Sequence, residues 1–144
     1  MDMATSNATA TWEGKLKEGK GTFKAMSGVF NGAFSFGTRF AGSKGSNPEE
    51  LIAAAHAGCF SMFLSGVLEK AGHAVTRIET RAAVTIETVD GAPKVTRSEL
   101  DVRGKVPGID QEAFTAAAEE AKNNCPVSKA LQGNVEIRMT AKLA

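Results

Sequence analysis

Two cysteines in 144 residues, Cys59 and Cys125, are the side chains best suited to chemistry in this sequence. Neither has a second cysteine or a histidine at the spacing of zinc ligands, so a metal site is not expected. Cys59 lies in an uncharged run between Glu50 and Glu69, beside Phe60, Met62 and Phe63. Inside a helix the nearby N–H groups are already bonded, and apolar surroundings raise a thiol pKa. A reactive Cys59 therefore needs a cation from another segment. His56 is one helical turn away, but a lone imidazole on a buried helix is more often a hydrogen-bonded core group. Arg39 is the more useful candidate, because a guanidinium keeps its charge, can be held by a carboxylate, and lowers the pKa of a neighbouring thiol. Cys125 precedes Pro126, a helix-start pair that puts sulfur near free N–H groups and the positive end of the dipole. One thiol in an apolar pocket and one at a helix start suit peroxide reduction. The first is oxidised to a sulfenic acid and the second condenses with it to a disulfide. Two packed, inert cysteines fit the same residues, since a free cysteine packs as a small hydrophobe.

The elements that must position these groups follow from turn chemistry and periodicity. The first forty residues predict strands, with turns at Glu18-Gly19 and Asn31-Gly32. Phe34, Phe36 and Phe40 would share one strand face, with Ala33, Ser35, Gly37 and Arg39 on the other. A Gly- and Ser-rich bend from Gly42 to Ser46 leads to Asn47-Pro48-Glu49-Glu50, an N-cap, a first-turn proline and two carboxylates at the positive end of a dipole. That helix runs to about Lys70, with Gly72 as its stop. Its uncharged stretch reaches the lower length of a membrane span. His56, Ser61, Ser65 and the absence of basic flanks favour a helix buried on all sides in a soluble core. Residues 75–89 and 94–106 predict a hairpin around Asp90-Gly91. Asp110 caps a second helix with a narrow Ala117, Ala118, Ala121 face. Cys125-Pro126 opens a short helical turn to about Leu131, and Val135 to Leu143 alternate as a last strand. The order is βββ-α-ββ-αα-β, an α+β arrangement whose antiparallel sheets wrap a long buried helix. No repeat or linker divides it, so residues 1–144 read as a single domain.

Composition limits the function classes. Seventeen basic and sixteen acidic residues nearly cancel, and no basic stripe suggests nucleic acid as a partner. The first ten residues lack the apolar core of a secretion signal, so the expected compartment is the cytoplasm.

The chain resembles the OsmC/Ohr family of osmotically inducible and organic hydroperoxide resistance proteins, on its OsmC branch. The resemblance is carried by Thr38-Arg39-Phe40, Asn47-Pro48-Glu49-Glu50-Leu51, Ala54-Ala55-His56-Ala57-Gly58-Cys59-Phe60-Ser61-Met62 and Cys125-Pro126-Val127-Ser128. Trp12-Glu13-Gly14 and Val106-Pro107-Gly108-Ile109-Asp110 extend it over essentially the whole chain. It implies an intertwined homodimer with two active sites at the interface, and a stress-response peroxidase that uses no metal or other cofactor. Cys59 would be the peroxidatic cysteine, Cys125 the resolving one, Arg39 the activator of Cys59, and Glu49 the holder of Arg39. The substrate would be an organic hydroperoxide and the reductant a dithiol, of lipoyl or thioredoxin type. Glu49 and Cys59, ten residues apart on one helix, are separated by roughly 15 Å of rise. Glu49 and Arg39 are therefore expected to serve the Cys59 of a second subunit.

Two rivals are open to separate tests. A Cys-His hydrolase using His56 as base would survive loss of Cys125, and the sequence offers it no oxyanion site or third orienting group. A non-catalytic redox sensor or binding module on the same fold would form the disulfide once and then not turn over.

Overall fold

The computed structural model describes residues 3–144. Three strands come first: β1 (Ala8–Glu13), β2 (Lys20–Ala25) and β3 (Asn31–Phe34). They are followed by a short helix, α1 (Phe36–Phe40), and the long helix α2 (Pro48–Lys70). Then come β4 (Arg77–Val89), β5 (Ala92–Lys105), α3 (Gln111–Asn124), α4 (Pro126–Leu131) and β6 (Glu136–Leu143). This is the α+β order read from the sequence with one helix added, α1. The chain divides into two compact units, one ending at Leu51 and one beginning at Ile52.

In the first unit β1, β2 and β3 form an antiparallel sheet in that order. Phe23 stacks on Phe34 with ring centroids 4.0 Å apart, and Trp12 packs on Phe34 at 5.5 Å. Two expectations fail here. Asn31-Gly32 is not the turn but the start of β3, because Ser27-Gly28 takes that role. Gly28 adopts φ +78°, its amide donates to the Ala25 carbonyl, and the Ala25 amide donates to Phe30 to close the loop. The strand also stops at Phe34, so Arg39 lies on a helical turn rather than a strand face. Ser35 is the reason: its Oγ accepts from the Thr38 amide, and its own amide donates to Thr38 Oγ1 at 2.8 Å, a capping box that starts α1. The Ser35-x-x-Thr38 capping box prevails here over the strand-like alternation of the phenylalanines.

The start of α2 is as read: the Glu50 amide donates to Asn47 Oδ1 at 2.8 Å, Pro48 leads the first turn, and Gly72 follows the end at φ +89°. The second unit builds its core on this helix. His56, Phe60, Leu64 and Leu68, four residues apart, are buried along one stripe. Phe60, Leu64 and Leu68 meet Leu100 and Val102 of β5, Val106 just after it, and Phe114, Ala117, Ala118 and Ala121 of α3 in one cluster that also contains Cys125. In the single chain, α2 is thus buried on one face and not all round. Ala54, Ala55 and Gly58 are exposed, and Met62 is 82% exposed. By length and composition α2 would also pass for a membrane span.

β4 and β5 form the expected hairpin, with Asp90 at φ +52° and Gly91 at φ +79° supplying both left-handed turn positions. β6 departs from expectation by pairing with β5 in parallel. Alternation marks a strand's face but not its direction, and the two helices between β5 and β6 provide the crossover that parallel pairing requires. Gly104 of β5 is packed under the Phe114 ring, where a Cβ would collide with ring carbons. Gly104→Ala should cost about 1–3 kcal/mol of stability by overpacking, read as a lowered urea midpoint with an unchanged m-value.

Candidate active site

Each sulfur is placed by backbone geometry that the Cys-Pro dipeptide sets. Cys125 ends α3, its amide donating to the Ala121 carbonyl, and as an extended residue at φ −62° and ψ 141° it also caps α4. Pro126 occupies the first position of α4, where a missing N–H costs nothing. The next two amides of α4 reach the two sulfurs in turn. Val127 N–H points at Cys59 Sγ at 3.5 Å, and Ser128 N–H points at Cys125 Sγ at 3.4 Å. Both are free thiols, each met by one of these two neighbouring amides. Cys125 is fully buried, whereas Cys59 is partly exposed.

Cys59 opens onto a groove of about 870 Å³. Met62, Phe63 and Val67 of α2, Ala113 and Ala117 of α3, and Pro126 line it, with Lys70 and Glu120 adding polar groups. Burial pushes the Cys59 thiol up. The Val127 amide pulls it down, while the hydrogen bond and the charge of Cys125 push it up again. The net is a thiol above its ordinary value, so these groups by themselves leave Cys59 protonated near neutrality.

Arg39 and Glu49 meet in the first unit. Arg39 Nε donates to Glu49 Oε1 at 2.8 Å, and the arginine is over a third exposed while the carboxylate is nearly buried, 36% against 6%. Glu49 Oε2 is buried with no partner among the described residues. The four candidates from the sequence thus form two pairs, Arg39 with Glu49 and Cys59 with Cys125, each within its own unit.

His56 is the hydrogen-bonded core group that the sequence favoured over a partner for Cys59. It is fully buried, with Nδ1 2.7 Å from Ser98 Oγ and Nε2 2.8 Å from Ser128 Oγ. Burial lowers its pKa from the ordinary 6.5. Ser98 and Ser128 were missed, and the signal for them was faint. Ser98 occupies the inward register of β5 with Leu100 and Val102, where a polar residue needs a buried partner. Among the described residues no three His, Cys, Asp or Glu side chains gather as metal ligands.

The family model described as "OsmC-like protein" matches residues 41–140. The chain is 47% identical to the peroxiredoxin OsmC of Escherichia coli K12 over 129 residues, covering 89% of this chain and 90% of that protein. It is 30% identical to the organic hydroperoxide resistance protein of Xanthomonas axonopodis pv. citri over 139 residues, 94% of this chain and 92% of that one. An organic hydroperoxide resistance protein from Elizabethkingia anophelis superimposes with a TM-score of 0.82, at 28% identity and full coverage of both chains.

The lowered pKa of His56 has a consequence for stability. As pH falls past 6.5 the unfolded chain takes up a proton that the folded chain resists, so stability present above 6.5 is lost below it. Urea denaturation should show a loss that approaches about 1.4 kcal/mol per pH unit from this group. In His56→Asn that part of the pH dependence between about pH 7 and 5 should flatten.

Proposed function

The chain belongs to the OsmC family, and from that premise we propose that it is a cysteine-based peroxidase that reduces organic hydroperoxides. The observation that carries this reading is the pair of thiols held side by side by consecutive α4 amides, the outer one opening on an apolar groove. In the proposed cycle the Cys59 thiolate attacks the terminal peroxide oxygen, the O–O bond breaks, and the alkoxide leaves as alcohol after taking a proton. Cys59 is left as a sulfenic acid. Cys125 attacks that sulfur, water departs and a disulfide forms. An external dithiol, lipoyl or thioredoxin-like, reduces the disulfide and is itself oxidised. No step calls for a metal or other cofactor, and free thiols at both positions suit the reducing cytoplasm. The names of the Escherichia coli and Xanthomonas relatives support the peroxide substrate.

Since its own surroundings raise the Cys59 pKa, activation requires a cation beside it. The reading assigns that role to Arg39, steadied by Glu49, and places the pair at the Cys59 of a second subunit. Helical rise supports this, because ten residues of α2 separate Glu49 from Cys59 by roughly 15 Å. The exposed apolar stripe of Ala54, Ala55, Gly58 and Met62 also favours a homodimer that covers α2. The apolar groove favours organic over hydrogen peroxide: burying a four-carbon group contributes about 3 kcal/mol, or roughly two decades.

Steady-state consumption of cumene hydroperoxide with dihydrolipoamide tests the cycle. Cys59→Ser and Cys125→Ser should each lose at least about 100-fold in turnover, and hydrogen peroxide should be reduced far more slowly by the native protein. Full dithiol turnover without Cys125 would mean that the dithiol attacks the Cys59 sulfenic acid directly and that Cys125 does not resolve it, and no native turnover would favour the sensor. Subunit mixing tests the shared site. Cys59→Ser and Arg39→Ala proteins, each inactive, are refolded together. Composite sites leave one intact site per mixed dimer, restoring about a quarter of native activity in a statistical mixture. Sites built within one subunit restore none.

A further inference from the structure

His56 is a fully buried titratable ring, and the cycle above makes no use of it. Ser98, Ser128 and Cys125 are equally without exposed surface. From Ser98 Oγ the contacts run 2.7 Å to His56 Nδ1, 2.8 Å from Nε2 to Ser128 Oγ, and 3.1 Å from Ser128 Oγ to Cys125 Sγ. A buried ring must be hydrogen-bonded, and two serines would satisfy that need. What takes this line further is that it ends on a sulfur.

A hydroxyl has one proton and two acceptor sites, so the line has two self-consistent directions. With His56 neutral and protonated at Nδ1, the Cys125 thiol donates to Ser128 Oγ, Ser128 donates to Nε2, and Nδ1–H donates to Ser98. With the direction reversed, Nε2–H donates to Ser128, whose hydroxyl now donates to a Cys125 thiolate. The two states differ by two short proton hops and no change in heavy-atom position.

We infer that Ser128 and His56 form a proton line that deprotonates Cys125 for disulfide formation, Ser128 touching the reacting sulfur and His56 acting through it. This rests on the reading of Cys125 as the resolving thiol. The Cys125 proton passes to Ser128 Oγ as the Ser128 proton passes to Nε2. The thiolate attacks the Cys59 sulfenic sulfur, the S–S bond forms, the S–O bond breaks and hydroxide leaves. Hydroxide takes a proton from the medium, and the imidazolium, having lost its counter-charge, returns one. The sum is a sulfenic acid and a thiol giving a disulfide and one water.

The surroundings of the ring make the coupling tight. β5 turns Arg97 and Glu99 to its other face, where they pair with each other at 3.1 Å, and α4 turns Lys129 to solvent. α2 adds only Cys59, at the next turn. Burial is the sole cause of the lowered His56 pKa, so the ring holds a proton only while a thiolate balances it.

The test is a single turnover. Reduced protein is mixed with one equivalent of tert-butyl hydroperoxide and quenched with a sulfenic-acid trap, and trapped protein and disulfide are counted by mass spectrometry. In His56→Asn and Ser128→Ala, disulfide formation should slow at least about tenfold near pH 7, with the sulfenic acid accumulating. Its rate should then rise about tenfold per pH unit, as hydroxide takes over, while the native rate stays nearly flat from about pH 7 to 8. Cys59 oxidation, the preceding step, should change less than about threefold. Native rates and a native pH profile in Ser128→Ala, which keeps the ring and removes the hydroxyl between it and the sulfur, overturn the inference even if His56→Asn fails to fold. Native protein that forms no internal disulfide overturns the two-cysteine reading itself, and the line falls with it.

Discussion

The buried imidazole of His56 is the constraint on which the second unit is arranged. A polar ring without exposed surface needs both nitrogens satisfied, and it finds one hydroxyl on β5 and one on α4. Those two bonds fix the rotation of α2 about its axis. With His56 inward, Phe60, Leu64 and Leu68 follow at the same azimuth and fill the core. Cys59, three residues on, falls at the edge of that stripe, in the core on one side and on the groove on the other. The bond to Ser128 also seats α4, whose first amides point at both sulfurs. One ring thereby sets the helix, the groove and the distance between the thiols.

The same rotation leaves work undone in a single chain. Turning the His56 stripe inward turns Ala54, Gly58 and Met62 outward, an apolar face on a helix that by composition belongs in an interior. It also leaves Cys59 above its ordinary pKa. A second copy that covers the exposed face and supplies a guanidinium would answer both needs, which is why the proposed dimer and the proposed activation are one idea rather than two. The Arg39–Glu49 pair is built for such a role: the carboxylate is nearly buried, the arginine is still accessible, and one carboxylate oxygen is uncommitted among the described residues.

Polar groups placed inside a core are costly unless every one is partnered. Here the partners form a line and not a closed ring, and one end is the Cys125 sulfur. The proposed cycle asks for a resolving thiol that is withheld from solvent yet can lose its proton on demand. Fully burying Cys125 meets the first need and leaves the second to the groups that touch the sulfur. In the inferred line a hydroxyl and an imidazole at hydrogen-bonding distance serve that need without exposing the sulfur.

Local chemistry along the chain was sufficient for most elements. Asn47-Pro48 started α2, Asp90-Gly91 turned the long hairpin, Asp110 capped α3 and Cys125-Pro126 opened α4, because caps and turns depend on residues a few positions apart. The same locality misled at Ser35, where alternating phenylalanines suggested a strand and a capping box made a helix. The candidate residues Arg39, Glu49, Cys59 and Cys125 were legible from residue type and motif. Tertiary structure alone decided that β6 runs parallel to β5, since alternation carries no direction. It alone brought Ser98 and Ser128, 42 and 72 positions from His56, to the two nitrogens of one ring. No spacing rule links residues so far apart. Their meeting follows from how the helix and strand faces bury together, and a one-residue slip of β5 would have turned Ser98 to the opposite face.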